Sequence, residues 1–143
     1  MSVYAKDAVA VWQAGTAFEV TAGSGQTLIT DGAALIGASP MELIMAGLAG
    51  CTGADVIDIL RKKRQDVTKF EIRVHGDRCE EHPRVYTEVE IVFIVTGHKI
   101  DPEAVRRAVE LSENKYCSVS AMLRQTAQLT CRYEIREADP ISA

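Results

Sequence analysis

The segment Ser39-Pro40-Met41-Glu42, leading into an apolar run that ends at Leu60, constrains this chain more than any other feature. Serine is a favoured helix N-cap, proline fits the first helical position because its missing N–H has no partner there, and glutamate three residues after the cap closes a capping box. A helix therefore starts at Ser39-Pro40. Leu43, Ile44, Met45, Leu48, Cys51, Val56, Ile57, Ile59 and Leu60 surround its circumference, which predicts a helix buried on all sides. Arg61-Lys62-Lys63-Arg64 closes it, where the negative end of the helix dipole favours cations. The uncharged stretch from Leu43 to Ala54 has 12 residues. A spanning helix needs ~20, so a buried core helix is expected and no membrane span.

The flanking sequence places this helix among strands. Residues 3–13 and 16–22 read as strands, Gly23-Ser24-Gly25 as a tight turn supplied with positive φ, and 26–30 as a third strand. Asp31 to Ala38, with Gly32 and Gly37, reads as a loop into the helix. Beyond it Phe70, Ile72 and Val74 alternate with Glu71, Arg73 and His75, and after a turn near Glu81-His82-Pro83 residues 85–96 form the second arm of a hairpin. Glu88 and Glu90 mark a wet face on that arm, yet Val92 and Ile94 continue the same face as apolar. A cover over the far half is expected, such as a second subunit. Asp101-Pro102-Glu103 opens a helix to about Glu113, a short helix follows Cys117-Ser118, and Leu129, Cys131, Tyr133 and Ile135 alternate in a last strand. The order βββ-α-ββ-αα-β predicts an α+β protein forming a single domain over residues 1–143.

Composition narrows the function. With 47% hydrophobic and 25% charged residues the chain is too apolar for a disordered one, and 143 residues can bury a core without metals or disulfides. A net charge of -4 argues against nucleic-acid or anionic-membrane partners and leaves small molecules and proteins. The opening residues Met1 to Asp7 carry an acid and lead into no apolar run, so a cytoplasmic protein is expected. In that reducing compartment Cys51, Cys79, Cys117 and Cys131, with no C-x-x-C among them, read as free thiols.

Cys51 lies 12 residues past the cap, about 18 Å along the helix axis and beyond the reach of the N-terminal dipole. Burial leaves such a thiol inert and Asp55 at i+4 opposes a thiolate, so on residues alone Cys51 reads as a core cysteine. Cys117 sits between two helices, after Asn114-Lys115-Tyr116 and before Ser118, where backbone N–H groups and Lys115 can stabilise a thiolate. Both the reactive and the buried reading stand for it. Cys131 falls on an inward strand face and reads as buried, and Cys79 beside the hairpin turn reads as exposed. His75, Cys79 and His82 form H-x3-C-x2-H, but with no fourth ligand and no zinc-like spacing a polar hairpin end is the better reading and no metal is assigned. His98 reads as a turn residue between Gly97 and Lys99.

The segment Ser39-Pro40-Met41-Glu42-Leu43-Ile44-Met45-Ala46-Gly47-Leu48-Ala49-Gly50-Cys51-Thr52-Gly53, followed 66 residues after Cys51 by Tyr116-Cys117-Ser118-Val119-Ser120, resembles the OsmC/Ohr family of thiol peroxidases. The order of elements agrees over most of the chain. The resemblance implies an OsmC-like fold in an intertwined homodimer with its sites at the subunit interface. It implies reduction of organic hydroperoxides without cofactor, metal or flavin, with Cys51 peroxidatic, Cys117 resolving, and an external dithiol such as a lipoyl protein as reductant. Two positions depart from the family pattern. No arginine precedes Arg61, where the family holds its thiolate with an N-terminal arginine, and Met41 stands ten residues before Cys51 in place of a glutamate. Glu42 is committed to the capping box. Weak activity is implied, with Lys6 or an arginine of a partner subunit as substitute cation. The alternative is a non-catalytic dimer that binds a small apolar ligand in the interface cleft, with Cys51 merely packing.

Overall fold

Three short strands open the computed structural model, which describes residues 2–140: β1 (Ala8–Ala14), β2 (Ala17–Ala22) and β3 (Thr27–Asp31). They pair antiparallel in the order β1-β2-β3. The first strand starts at Ala8 rather than Val3, because the Tyr4 and Ala5 N–H groups donate to the hydroxyl and carbonyl of Ser2 and curl that segment into a turn. Of the three residues in the β2–β3 turn only Gly25 takes positive φ, at 93°. Gly23 instead donates its N–H to the Asp7 carbonyl at 2.8 Å.

The loop after β3 is organised by one carboxylate. Asp31 accepts from the Thr16 hydroxyl at 2.6 Å and from the N–H groups of Ala33, Leu35 and Ile36. These donors, the Thr16 hydroxyl foremost, hold its carboxyl below the usual carboxylate range. Gly37 has no room for a side chain, since a Cβ there would sit 2.3 Å from the Ile29 carbonyl oxygen.

The long helix α1 (Pro40–Lys62) then begins as its residues demand: the Ser39 N–H donates to Glu42 Oε1 at 2.8 Å and the Glu42 N–H to Ser39 Oγ at 3.2 Å. It ends when Arg64 turns left-handed at φ 57°, with Gln65 N–H on the Leu60 carbonyl and Arg64 N–H on that of Arg61. That is a Schellman closure made without glycine. The chain divides into two compact units, one ending at Ile44 and one beginning at Met45, so α1 starts in the first and runs into the second.

In the second unit β4 (Asp66–Arg78) and β5 (Tyr86–His98) form an antiparallel hairpin. The chain continues through α2 (Pro102–Leu111), a five-residue π-helical turn (Ser112–Tyr116) and α3 (Ser118–Leu123) to β6 (Gln128–Glu137). β6 pairs with β5 in parallel, giving the order β4-β5-β6. One face of this sheet carries Phe70, Ile72 and Val74 opposite Val95, Phe93 and Ile91, with Cys131 and Tyr133 in register on β6. Phe93 is fully buried and stacks on Phe70 at 6.4 Å. α1 packs on this face so closely that a Cβ on Gly53 would lie 2.4 Å from Ile72 Cδ1.

Three expectations need correction. α1 is not buried all round: Leu48, Thr52, Gly53, Val56 and Leu60 form a single buried stripe, while Ile44 is 41% exposed. One helix meeting one sheet can bury only one face. By length and composition alone α1 could cross a bilayer, an 18-residue window of it having a mean hydropathy of 1.7, but its buried stripe packs into the core of this unit. Secondly, Val92 and Ile94 are already buried within the single chain, at 6% and 4% exposure. Arg73 and Arg132 flank Val92, and Glu71 and Glu134 flank Ile94, so neighbouring strands shield this central strand without a second copy. Thirdly, His98 is the last residue of β5, bonded through Nδ1 to Asp66 at 2.9 Å, and Lys99 makes the turn at φ 50°.

Candidate active site

Glycines and small residues bring α1 against the sheet, and the residue after Cys51 faces inward. Thr52 is completely buried, whereas Cys51, one step of about 100° round the helix, is half-buried. The stripe Ala104, Val105, Ala108, Val109 on α2 continues with the same spacing into Ser112 and Glu113, which are polar yet buried. The π-helical turn closes with the Cys117 N–H on the Ser112 carbonyl at 2.8 Å. Cys117 then leaves the helical path in extended conformation and caps α3, its sulfur accepting from the Ser120 N–H at 3.4 Å.

This path brings Cys117 back across 66 residues into the neighbourhood of Cys51, near enough for the two thiols to influence each other. Cys117 is 3% exposed. Burial pushes its thiol up, the hydroxyl and N–H of Ser120 pull it back, and the neighbouring Cys51 raises it again. Both are free thiols on different elements, and a disulfide between them needs their Cβ atoms within about 3.5–4.5 Å of each other.

A polar chain runs beside the pair. Ser112 Oγ donates to Asp55 at 2.9 Å, so the 2.7 Å contact between Thr52 and Ser112 must use the Thr52 proton, with Glu113 Oε1 a weaker second acceptor at 3.4 Å. Glu113 also accepts from Ser120 Oγ at 3.2 Å and from Arg124, whose guanidinium donates to the Glu113 carbonyl at 2.8 Å and to Oε2 at 2.9 Å. Cys131 is half-buried rather than buried, and its thiol is pushed up to about 12 by burial first and by the nearby Glu113 carboxylate second. It lines an open groove of about 500 Å³ together with Arg106, Glu113, Arg124 and Tyr133.

Glu113 and Arg124 were not legible as site residues. The signal was the α2 stripe itself, since spacing by three and four from Val105 and Val109 points Ser112 and Glu113 into the core. The other sequence candidates lie apart. Cys79 is exposed, and His75 Nε2 bonds Asp77 at 2.9 Å. Among the described residues no cluster of three or more His, Cys, Asp or Glu side chains is arranged to hold a metal, so His75, Cys79 and His82 do not converge.

Comparison with known proteins agrees with this architecture. The profile of the OsmC-like protein family matches residues 30–132. Protein YhfA of Escherichia coli K12 is 42% identical over 125 residues, 87% of this chain and 93% of its own. A hypothetical protein from Aquifex aeolicus VF5 superposes with a TM-score of 0.87 at 33% identity, covering 97% of this chain and all of its own. The organic hydroperoxide resistance protein OhrB of Bacillus subtilis shares the fold at 17% identity, with a TM-score of 0.63 over 93% of this chain and all of its own. With both cysteine motifs inside the matched region and the α+β topology in common, the chain belongs to the OsmC-like protein family.

Proposed function

We propose that the protein is a thiol-dependent peroxidase that reduces organic hydroperoxides through Cys51 and Cys117. The observation that supports this reading is the hydrogen-bond chain from Thr52, beside Cys51 on α1, through Glu113 to Ser120, whose N–H bonds the Cys117 sulfur at the start of α3. The Cys51 thiolate attacks the outer peroxide oxygen, the O–O bond breaks, and the alkoxide leaves with a proton as alcohol. Cys51 becomes a sulfenic acid. The Cys117 sulfur displaces its oxygen, which departs as water carrying the Cys117 proton, and a disulfide forms. An external dithiol, such as a lipoyl group in the cytoplasm, returns both thiols by exchange and is itself oxidised to a disulfide. Oxidation of Cys51 needs access, and its half-buried position supplies it. That a neighbour of the same fold is an organic hydroperoxide resistance protein supports the substrate class.

The working unit of this reading is a homodimer. Every residue of β1 is exposed, including Val9, Val11 and Trp12, and Leu35 and Ile36 are exposed as well. So much apolar surface on one chain favours a covering copy. Light scattering at micromolar concentration is expected to give twice the chain mass.

Thiol titration before and after stoichiometric cumene hydroperoxide tests the chemistry. Loss of two thiols per chain in the wild type is expected, with turnover abolished in Cys51→Ser. Equal peroxide consumption by wild type and Cys51→Ser would leave a non-catalytic ligand-binding dimer instead.

A further inference from the structure

We propose that Glu113 and Arg124 form a positioning pair that holds Cys51 and Cys117 in register for disulfide closure; this rests on the thiol-couple reading above. The chain has no arginine before Arg61, and an arginine of its C-terminal half, Arg124, is bonded into the polar chain beside the thiols. The Glu113 carboxylate is 9% exposed and is joined to both elements that carry the thiols, α1 and α3. Oε1 is the second, longer acceptor of the Thr52 hydroxyl, which adjoins Cys51 on α1, and accepts from the hydroxyl of Ser120, whose N–H bonds the Cys117 sulfur.

A carboxylate buried without a cation would be costly, and Arg124 provides the cation in a form that also fixes geometry. One guanidinium nitrogen holds the Glu113 backbone carbonyl and another holds Oε2, so both the turn and the side chain are pinned. The same two contacts occupy Arg124. It acts on the thiols through Glu113, Thr52 and Ser120 rather than by touching a sulfur. The π-helical turn is what brings Glu113 inward and Cys117 to the start of α3 within five residues, and such turns recur at functional sites.

The test compares wild type with Glu113→Gln, Arg124→Gln and Arg124→Lys, and with Ser120→Ala, which keeps the N–H on Cys117 and loses only the hydroxyl link. Two oxidants are used. Diamide closes dithiols without a peroxide and reads geometry alone, and cumene hydroperoxide with dimedone as a trap reads the partition of oxidised Cys51. Glu113→Gln and Arg124→Gln are expected to slow diamide closure at least about tenfold and to shift Cys51 from disulfide towards the dimedone adduct. Arg124→Lys should fall between them and wild type because one ammonium cannot make both contacts, and Ser120→Ala should slow closure about two- to fivefold. Closure at wild-type speed in folded Glu113→Gln or in Ser120→Ala overturns the proposal, as does slowing that merely follows the loss of thermal stability across the series. Wild type that closes with diamide yet ignores the hydroperoxide would defeat the peroxidase reading and leave the positioning pair standing.

Discussion

Replacing Thr52 by valine probes the polar chain beside the thiols with little change in shape. Thr52 is completely buried and its hydroxyl is 2.7 Å from Ser112 Oγ. Valine fills nearly the same volume, so no cavity forms, and it gains roughly 0.8 kcal/mol from an added buried methyl. Against that stand the lost hydrogen bond, about 1 kcal/mol net, and the Ser112 oxygen left without its donor, about 1–3 kcal/mol. The balance is a destabilisation of about 1–3 kcal/mol, or a fall in Tm of about 3–9 °C for a chain of this size. Ser112→Ala alone strands the other end. The double variant removes both partners, which costs little beyond the packing change, so the two effects should fall short of additivity by about 1 kcal/mol. Urea unfolding followed by far-UV circular dichroism measures this, the midpoint falling with the slope unchanged. Additivity within about 0.3–0.5 kcal/mol, or a Thr52→Val protein as stable as wild type, would refute the assigned chain of donors.

Asp31 sets an acid limit on the first unit. Its folded pKa lies below the unfolded value, so its stabilisation is complete above about pH 4 and is lost as pH falls through the folded value. Trp12 fluorescence between pH 6 and 2 should report unfolding of the first sheet that moves to higher pH in Asp31→Ala; coincident curves would contradict this. Thiol labelling with iodoacetamide at pH 8 should modify Cys79 first and Cys131 last, since a thiol pushed up to about 12 is only about one part in ten thousand thiolate there. Mass spectrometry showing Cys131 labelled as fast as Cys79 would count against burial and the Glu113 carboxylate holding its thiol up. Gly97→Ala places a Cβ 2.1 Å from the Asp66 carbonyl oxygen, and because backbone cannot step aside the cost should reach about 3 kcal/mol or more in urea unfolding.

Local chemistry was legible wherever a residue acts on its own neighbours. Ser39, Pro40 and Glu42 announced the start of α1, Asp101 and Pro102 that of α2, and both are built as their capping chemistry requires. Alternation in Phe70, Ile72, Val74 and in Leu129, Cys131, Tyr133 announced strands and their faces. The element order and the OsmC-like family followed from these signals together with the two cysteine motifs.

Pairing over distance was not legible. Alternation specifies a face but no partner, so that β6 joins β5 in parallel was decided only when α2 and α3 carried the chain back along the sheet. The all-round apolar α1 could not reveal that one chain buries a single stripe of it, because burial depends on what is packed against a helix and not on the helix alone. The same holds at the thiols. Residue by residue Cys51 reads as core and Glu113 as the polar end of a helix, and neither reading contains the other. Proximity across 62 residues is a property of the packed elements, and only the tertiary structure set a buried carboxylate and its arginine beside two cysteines.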